Sequence, residues 1–245
     1  MSRSGGLQYK TDRGPSLAAC RAVRRGHFIT FEGGEGTGKS TQAKLLAARL
    51  KSLGIDVLLT REPGGSPGAE AVRHVLLSGA AKPLGPYAEA ILFAAARDDH
   101  VRSVIRPALE QGTWVVSDRF ADSTRVYQGV LGNVDPNLIR RLEHITIGGT
   151  RPDLTFILDL PADIGLKRAV RRRGSRPRDR FEAEGLAFHR KLREAYLELA
   201  EHEPERCMVI DASAHMTKIA SVIWALVDAR LHPAETPSEL ENAVS

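Results

Sequence analysis

Cysteine is scarce in this chain: there are two in 245 residues, Cys20 and Cys207. They form neither a metal-ligand spacing nor a disulfide framework, so a reducing, cytoplasmic setting is the expectation. Long apolar runs are missing as well. The longest, such as Val222-Ile223-Trp224-Ala225-Leu226-Val227, fall far short of the ~20 residues that cross a bilayer, and no membrane partner is expected. No internal repeat is visible. Net basic charge is absent beyond the start of the chain. The formal charge is +5, yet residues 1–25 hold Arg3, Lys10, Arg13, Arg21, Arg24 and Arg25 against Asp12 alone. The remainder is therefore neutral overall, which argues against nucleic acid as a partner. That leader lacks the roughly 7–15-residue apolar centre of a secretory signal. It reads as a disordered extension, with an organellar targeting peptide or a nucleic-acid arm as alternatives. The polar, acidic segment 232–245 reads as a flexible tail.

What remains is an ordinary globular body, 42% apolar and 27% charged, long enough for one sizeable core. Apolar strands are predicted at His27–Phe31, Ile55–Thr60, Thr113–Ser117, Leu154–Asp159 and Cys207–Ile210. Several are apolar throughout rather than alternating, as strands buried on both faces are. Between them run helical patterns at about 38–53, 68–78, 86–111, 136–147, 161–173, 186–203 and 215–230. Alternating strands and helices predict an α/β layer fold.

The first strand runs into Gly33-Gly34-Glu35-Gly36-Thr37-Gly38-Lys39-Ser40-Thr41, and a helix follows. Gly33-x-x-x-x-Gly38-Lys39-Ser40 fits the phosphate-loop pattern in the context that pattern requires. Glycines let successive backbone N–H groups curl around an anion, and the helix adds its positive end. Lys39 can reach the β- and γ-phosphates, and the Ser40 hydroxyl can face Mg²⁺. ATP and Mg²⁺ are the expected cofactors. The loop by itself does not distinguish a kinase from a switch or a motor.

Three further stretches lie where ligands bind in open α/β sheets, beyond the carboxyl ends of strands. Thr60-Arg61-Glu62-Pro63-Gly64-Gly65 follows the second strand and brings Arg61 toward the loop. Asp118-Arg119 ends the third strand; Asp118 suits a magnesium-associated acid and Arg119 a phosphate clamp. Asp159 is a rival acid, ranked lower because no basic residue adjoins it. Residues 167–185 are dense in arginine and broken by Gly174 and Pro177, which fits a lid over about 171–184 that closes on phosphates. Aromatics do not interleave with these arginines, which weakens an RNA-binding reading.

These stations, in this order, resemble the thymidylate kinase family of bacterial type. The matching residues are Phe31-Glu32-Gly33, Gly38-Lys39-Ser40-Thr41, Arg61-Glu62-Pro63-Gly64-Gly65, Phe93-Ala94-Ala95-Ala96-Arg97, Asp118-Arg119-Phe120, Ser123-Thr124, Tyr127-Gln128-Gly129, Arg151-Pro152-Asp153-Leu154 and Asp179-Arg180-Phe181-Glu182. The resemblance covers about residues 27–231, so a domain over 26–231 is expected. It implies a three-layer P-loop NTPase fold, with a five-stranded parallel sheet flanked by helices and an arginine-rich lid. It also implies phosphoryl transfer from ATP to dTMP, and a homodimer.

The resemblance further implies that Phe93 stacks on thymine and Arg97 bonds its carbonyl edge. Thr124 and Gln128 would sit near the base, and Tyr127 under the deoxyribose where a 2′-hydroxyl would crowd it. Arg61 and Arg119 would hold the dTMP phosphate, and Glu35 the sugar 3′-hydroxyl. The catalytic set is then Lys39, Asp118, Arg119 and Arg180. Some family members, the eukaryotic ones included, carry an arginine where Gly36 stands here. The bacterial type draws that cation from the lid, and Arg180 has the best motif support. Alternative readings are another nucleoside-monophosphate kinase, a P-loop regulatory switch, or a nucleic-acid-binding NTPase. The switch lacks an Asn-Lys-x-Asp stretch for guanine.

Overall fold

The computed structural model describes residues 25–175 and 180–233. Residues 1–24 of the expected leader, 234–245 of the expected tail, and Arg176 and Arg178 of the expected lid lie outside the described residues.

Five strands form one sheet: β1 (Phe28–Glu32), β2 (Val57–Arg61), β3 (Trp114–Asp118), β4 (Leu154–Asp159) and β5 (Cys207–Asp211). All pairings are parallel and the order is β2-β3-β1-β4-β5. β1 is therefore central, with Phe31 in register with Asp118 on one side and Phe156 on the other. Every side chain of β1 is buried, whereas the edge strands β2 and β5 are partly open. Burial along nearly the whole strand thus holds for the three inner strands, buried polar residues such as Thr30, Glu32, Ser117 and Thr155 included, as expected where helices cover both faces.

The helices are α1 (Lys39–Ser52), α2 (Pro67–Ser78), α3 (Gly85–His100), α4 (Arg106–Glu110), α5 (Ala121–Thr124), α6 (Pro136–Ile147), α7 (Ala162–Arg173), α8 (Leu186–His202) and α9 (Met216–Leu231). On one face Leu46 and Leu50 of α1 and Ile219, Ile223 and Val227 of α9 pack on Ile29, Phe31 and Phe156. A second cluster joins Val101, Ile105, Leu109 and Ile147 to Phe28 and Phe120, whose rings meet edge-on at 4.8 Å. Each such buried side chain contributes about 1.5–3 kcal/mol.

Two departures from the sequence pattern have local causes. The single helix predicted over 86–111 is divided by a wide π turn at Val101–Ile105. Pro107 cannot donate to the carbonyl four residues back and would clash with it, so the chain widens just before it. The stretch after Arg119, outside the predicted helical patterns, is helical: α5 runs into a second π segment, Arg125–Leu131. That segment carries Tyr127 and Gln128.

Candidate active site

The carboxyl ends of the strands open into a cleft of about 1150 Å³. Its walls include the phosphate loop from Glu35 to Thr41, Arg61, Phe93, Arg97, Asp118, Arg119, Thr124, Tyr127 and Gln128. Nearly all the residues singled out by sequence are therefore brought together; Gly33, Gly34 and Arg180 do not line this cleft.

The loop is built on glycine conformations. Gly33, Gly36 and Gly38 have φ of 126, 70 and 99°, where side chains are strained. Gly36 also faces a wall, since a Cβ there would lie 2.0 Å from the Gly165 carbonyl oxygen. Lys39 Nζ donates to the carbonyls of Gly33 (3.1 Å) and Gly34 (2.7 Å). Burial, then Arg119, lowers its pKa to about 8, against the pull of Glu35 and Asp118. The loop thus holds a buried ammonium whose charge an anion would offset. The Ser40 hydroxyl donates to Asp118 Oδ2. Asp159, the rival acid, is held by a two-pronged bond from Arg193 at 2.6 and 2.8 Å.

Arg119 anchors the middle of the cleft. Its backbone sits at φ 73°. Its Nη2 donates to Glu35 Oε1 at 2.6 Å, and its Nη1 to Gly33 O, Ser123 Oγ and Tyr196 Oη at 3.2, 3.2 and 3.3 Å. Tyr127 Oη donates to the same Glu35 oxygen at 3.3 Å, and the guanidinium lies 5.3 Å from the Tyr127 ring centre. Burial opposes ionisation of Glu35, but Arg119, then Lys39, outweigh it and hold the carboxyl down at about 2. The Tyr127 hydroxyl is raised by burial above the ordinary phenol value.

Arg97 is buried, its Nε donating to Glu62 Oε2 (2.8 Å) and its Nη2 to Phe120 O (3.2 Å) and Thr124 Oγ1 (3.0 Å). Glu62 in turn meets His100, whose other ring nitrogen is 2.7 Å from Thr60 Oγ1. Phe93 is half-buried with its ring 6.2 Å from that of Phe181. Gln128 Nε2 reaches Glu89 at 3.5 Å. Arg61 is exposed and pairs with Glu70 at 2.9 Å.

Arg180 lies elsewhere. Its Nε is 2.9 Å from the buried Glu89 carboxylate, and its guanidinium stacks 4.4 Å from the Phe181 ring. Among the described arginines of 167–185, those that line the cleft are Arg168, Arg172 and Arg173. Both Arg172 and Arg173 bond Glu182, at 2.9 and 3.3 Å.

Sequence reasoning passed over the far wall, Ser213, Ala214, His215 and Met216, along with Gln42. Gln42 is buried; its amide donates to Met216 O at 3.0 Å while its Oε1 has no partner. The rule that ligands gather beyond strand ends applies to β5 as it does to β1 and β3, and would have pointed there.

Comparison with known proteins follows the same outline. A family model described as Thymidylate kinase matches residues 31–223. A thymidylate kinase of Nitrobacter winogradskyi is 58% identical over 220 residues, 90% of this chain and 96% of the relative. One of Bradyrhizobium diazoefficiens is 60% identical over 223 residues, 91% of this chain and 97% of the relative. The crystal structure of thymidylate kinase from Ehrlichia chaffeensis superposes with a TM-score of 0.67 at 33% identity, over 83% of this chain and 99% of that one.

Proposed function

The chain belongs to the thymidylate kinase family, and we propose that it transfers the γ-phosphate of ATP to dTMP, giving dTDP and ADP. The observation that carries the reading is one continuous cleft with two differently built ends. A phosphate loop with a buried lysine faces one end; Arg97, Thr124, Tyr127 and Gln128 wall the other. Arg119 lies between them.

In this reading an anionic oxygen of the dTMP phosphate attacks the γ-phosphorus in line. One O–P bond forms as the bond to the β–γ bridging oxygen breaks, and ADP leaves with that electron pair. The protein has little covalent work; it positions and stabilises charge. Lys39 leaves its two loop carbonyls for the phosphates. Arg119 holds the acceptor phosphate, and Glu35 keeps Arg119 in place while offering an acceptor to the sugar 3′-hydroxyl. Arg97, braced by Glu62, presents a fixed donor toward the base, and Phe93 offers it an apolar face. Arg172 and Arg173 are the better-placed lid cations for the transferred group, and Arg180 steadies the base end through Glu89.

Ser40 and Asp118 suit Mg²⁺. They offer two hard oxygens within hydrogen-bond distance of each other on the cleft wall, leaving room for the waters and phosphate oxygens that Mg²⁺ keeps. When bound, that ion neutralises charge on the β- and γ-phosphates. The described residues hold no group of three or more His, Cys, Asp or Glu poised as a metal cage, consistent with an ion brought with its nucleotide. No helix of the described residues is long and apolar enough to cross a membrane. A cytoplasmic homodimer fits the family reading, and light scattering on the purified chain checks its oligomeric state. The activity itself is tested by ³¹P NMR of ATP, Mg²⁺ and dTMP with the protein: dTDP and ADP should appear in equal amounts. Production of inorganic phosphate alone would overturn it.

A further inference from the structure

Glu32, at the end of β1, is fully buried and outside the cleft wall, yet three donors converge on it. Its Oε1 accepts from the Phe120 backbone N–H at 2.7 Å. Its Oε2 accepts from Ser123 Oγ at 2.7 Å and from Tyr196 Oη at 3.0 Å. Each donor bears on Arg119. Phe120 N belongs to the peptide directly after it, the one that follows the unusual φ of 73°. The Ser123 and Tyr196 hydroxyls accept from Arg119 Nη1, at 3.2 and 3.3 Å, alongside the Gly33 carbonyl at 3.2 Å.

A hydroxyl carries one proton and two lone pairs. With Glu32 ionised, the carboxylate can take both hydroxyl protons, in competition with the 3.0 Å contact between the two hydroxyls themselves, and lone pairs are then left facing the guanidinium. Arg119 can only donate, so that is the one polarity it can use. An amide in place of the carboxylate would put an NH₂ where Oε2 stands. It would donate to the same hydroxyls and turn their protons against Arg119.

We propose that Glu32 is a positioning residue, fixing Arg119 for the acceptor phosphate by setting the direction of the Ser123 and Tyr196 hydroxyls. The inference rests on the reading that Arg119 grips the phosphate of dTMP. The titratable and charged groups around Glu32 are Asp122 on α5, Arg119 after β3, Lys39 on α1, Tyr127 in the second π segment, Tyr196 on α8 and Cys207 on β5. Burial, then Asp122, push its carboxyl up to about 7, so the measurement is made at pH 8, on the ionised side of that value.

The test compares binding of dTMP with binding of thymidine, which keeps base and sugar but has no phosphate. Glu32→Gln should weaken dTMP on the order of 10-fold or more, the range for a disturbed hydrogen bond to a charged group, and leave thymidine within about twofold. Ser123→Ala combined with Tyr196→Phe keeps the carboxylate and removes the relay, and should reproduce the selective loss. It also carries the test if Glu32→Gln does not fold. Unchanged dTMP affinity, or equal weakening of both ligands, overturns the proposal in favour of a purely structural carboxylate. Failure of the unaltered protein to bind dTMP more tightly than thymidine would instead sink the kinase reading itself.

Discussion

Gly36 and Gly165 meet backbone to backbone. A Cβ on Gly36 would lie 2.0 Å from the Gly165 carbonyl oxygen, and one on Gly165 would lie 2.4 Å from the carbonyl oxygen of Glu35. The phosphate loop therefore rests directly on the first turns of α7, and no side chain fits at position 36. Gly38 offers a contrast: its φ is +99°, but nothing lies within 4 Å of a Cβ there. Gly38→Ala should cost roughly 1–2 kcal/mol, the strain of a left-handed residue. Gly36→Ala should cost clearly more, because backbone must move as well. Urea unfolding of the two variants checks the order; equal losses would mean that the contact with α7 is soft. By the same geometry Gly36→Arg should not supply a working cation, and kcat should fall rather than rise.

The lid arginines can be ranked kinetically. Arg172 and Arg173 line the cleft, while Arg180 pairs with Glu89 beside Phe181. Arg173→Ala with Arg172→Ala should lower kcat on the order of 10²–10³-fold, at or below the ~10³–10⁵ range of arginine fingers. Arg180→Ala should act mainly on the KM for dTMP, since it frees the Glu89 carboxylate that Gln128 also touches. Steady-state kinetics separate the two. A large kcat loss confined to Arg180→Ala would return the transferred phosphate to Arg180.

Tyr127 combines a buried ring with a hydroxyl bonded to Glu35. Tyr127→Phe should preserve the preference for dTMP over its ribo counterpart, because the ring still fills the space. Tyr127→Ala should narrow that preference and cost about 3–5 kcal/mol of stability, as for other large aromatic deletions. The ratio of kcat/KM for the two substrates is the readout. An unchanged ratio in Tyr127→Ala would reduce the ring to packing.

Much of this was legible beforehand because the signals were local. Glycine spacing, a strand before and a helix after sufficed for the phosphate loop, and Asp118-Arg119 stood at the end of an apolar run. Strand bounds agree to within about two residues because each strand, inner or edge, carries a short apolar run. Tertiary partners were not legible. Asp159 had no basic neighbour in sequence, yet Arg193 reaches it from α8 at 2.6 Å. Arg180 had the strongest motif, but which wall it faces depends on Glu89 of α3. The π segment of Tyr127 was not legible because its buried residues, Val126, Tyr127 and Gln128, are consecutive and include a polar one, so no simple apolar stripe marks the buried face.

Glu35 makes an acid-stability prediction. Its carboxyl is held at about 2 in the folded chain, below the ordinary 4.5. The folded state then binds fewer protons than the unfolded state between those values, so stability rises with pH across that window. The contribution is complete above pH 4.5 and is lost as pH falls toward 2. Its size is roughly 3 kcal/mol at about 1.4 kcal/mol per unit. Glu35→Gln should flatten the urea midpoint between pH 5 and 2.5 relative to the unaltered chain. Parallel curves would mean that Arg119 does not stabilise this carboxylate.

The central claim is tested most directly by ADP release, coupled to NADH oxidation, with ATP, Mg²⁺ and each of dTMP, dUMP, AMP, GMP and CMP in turn. The account predicts the highest kcat/KM for dTMP, with AMP, GMP and CMP near background. Efficient turnover of a purine or cytidine monophosphate with dTMP inert would contradict it.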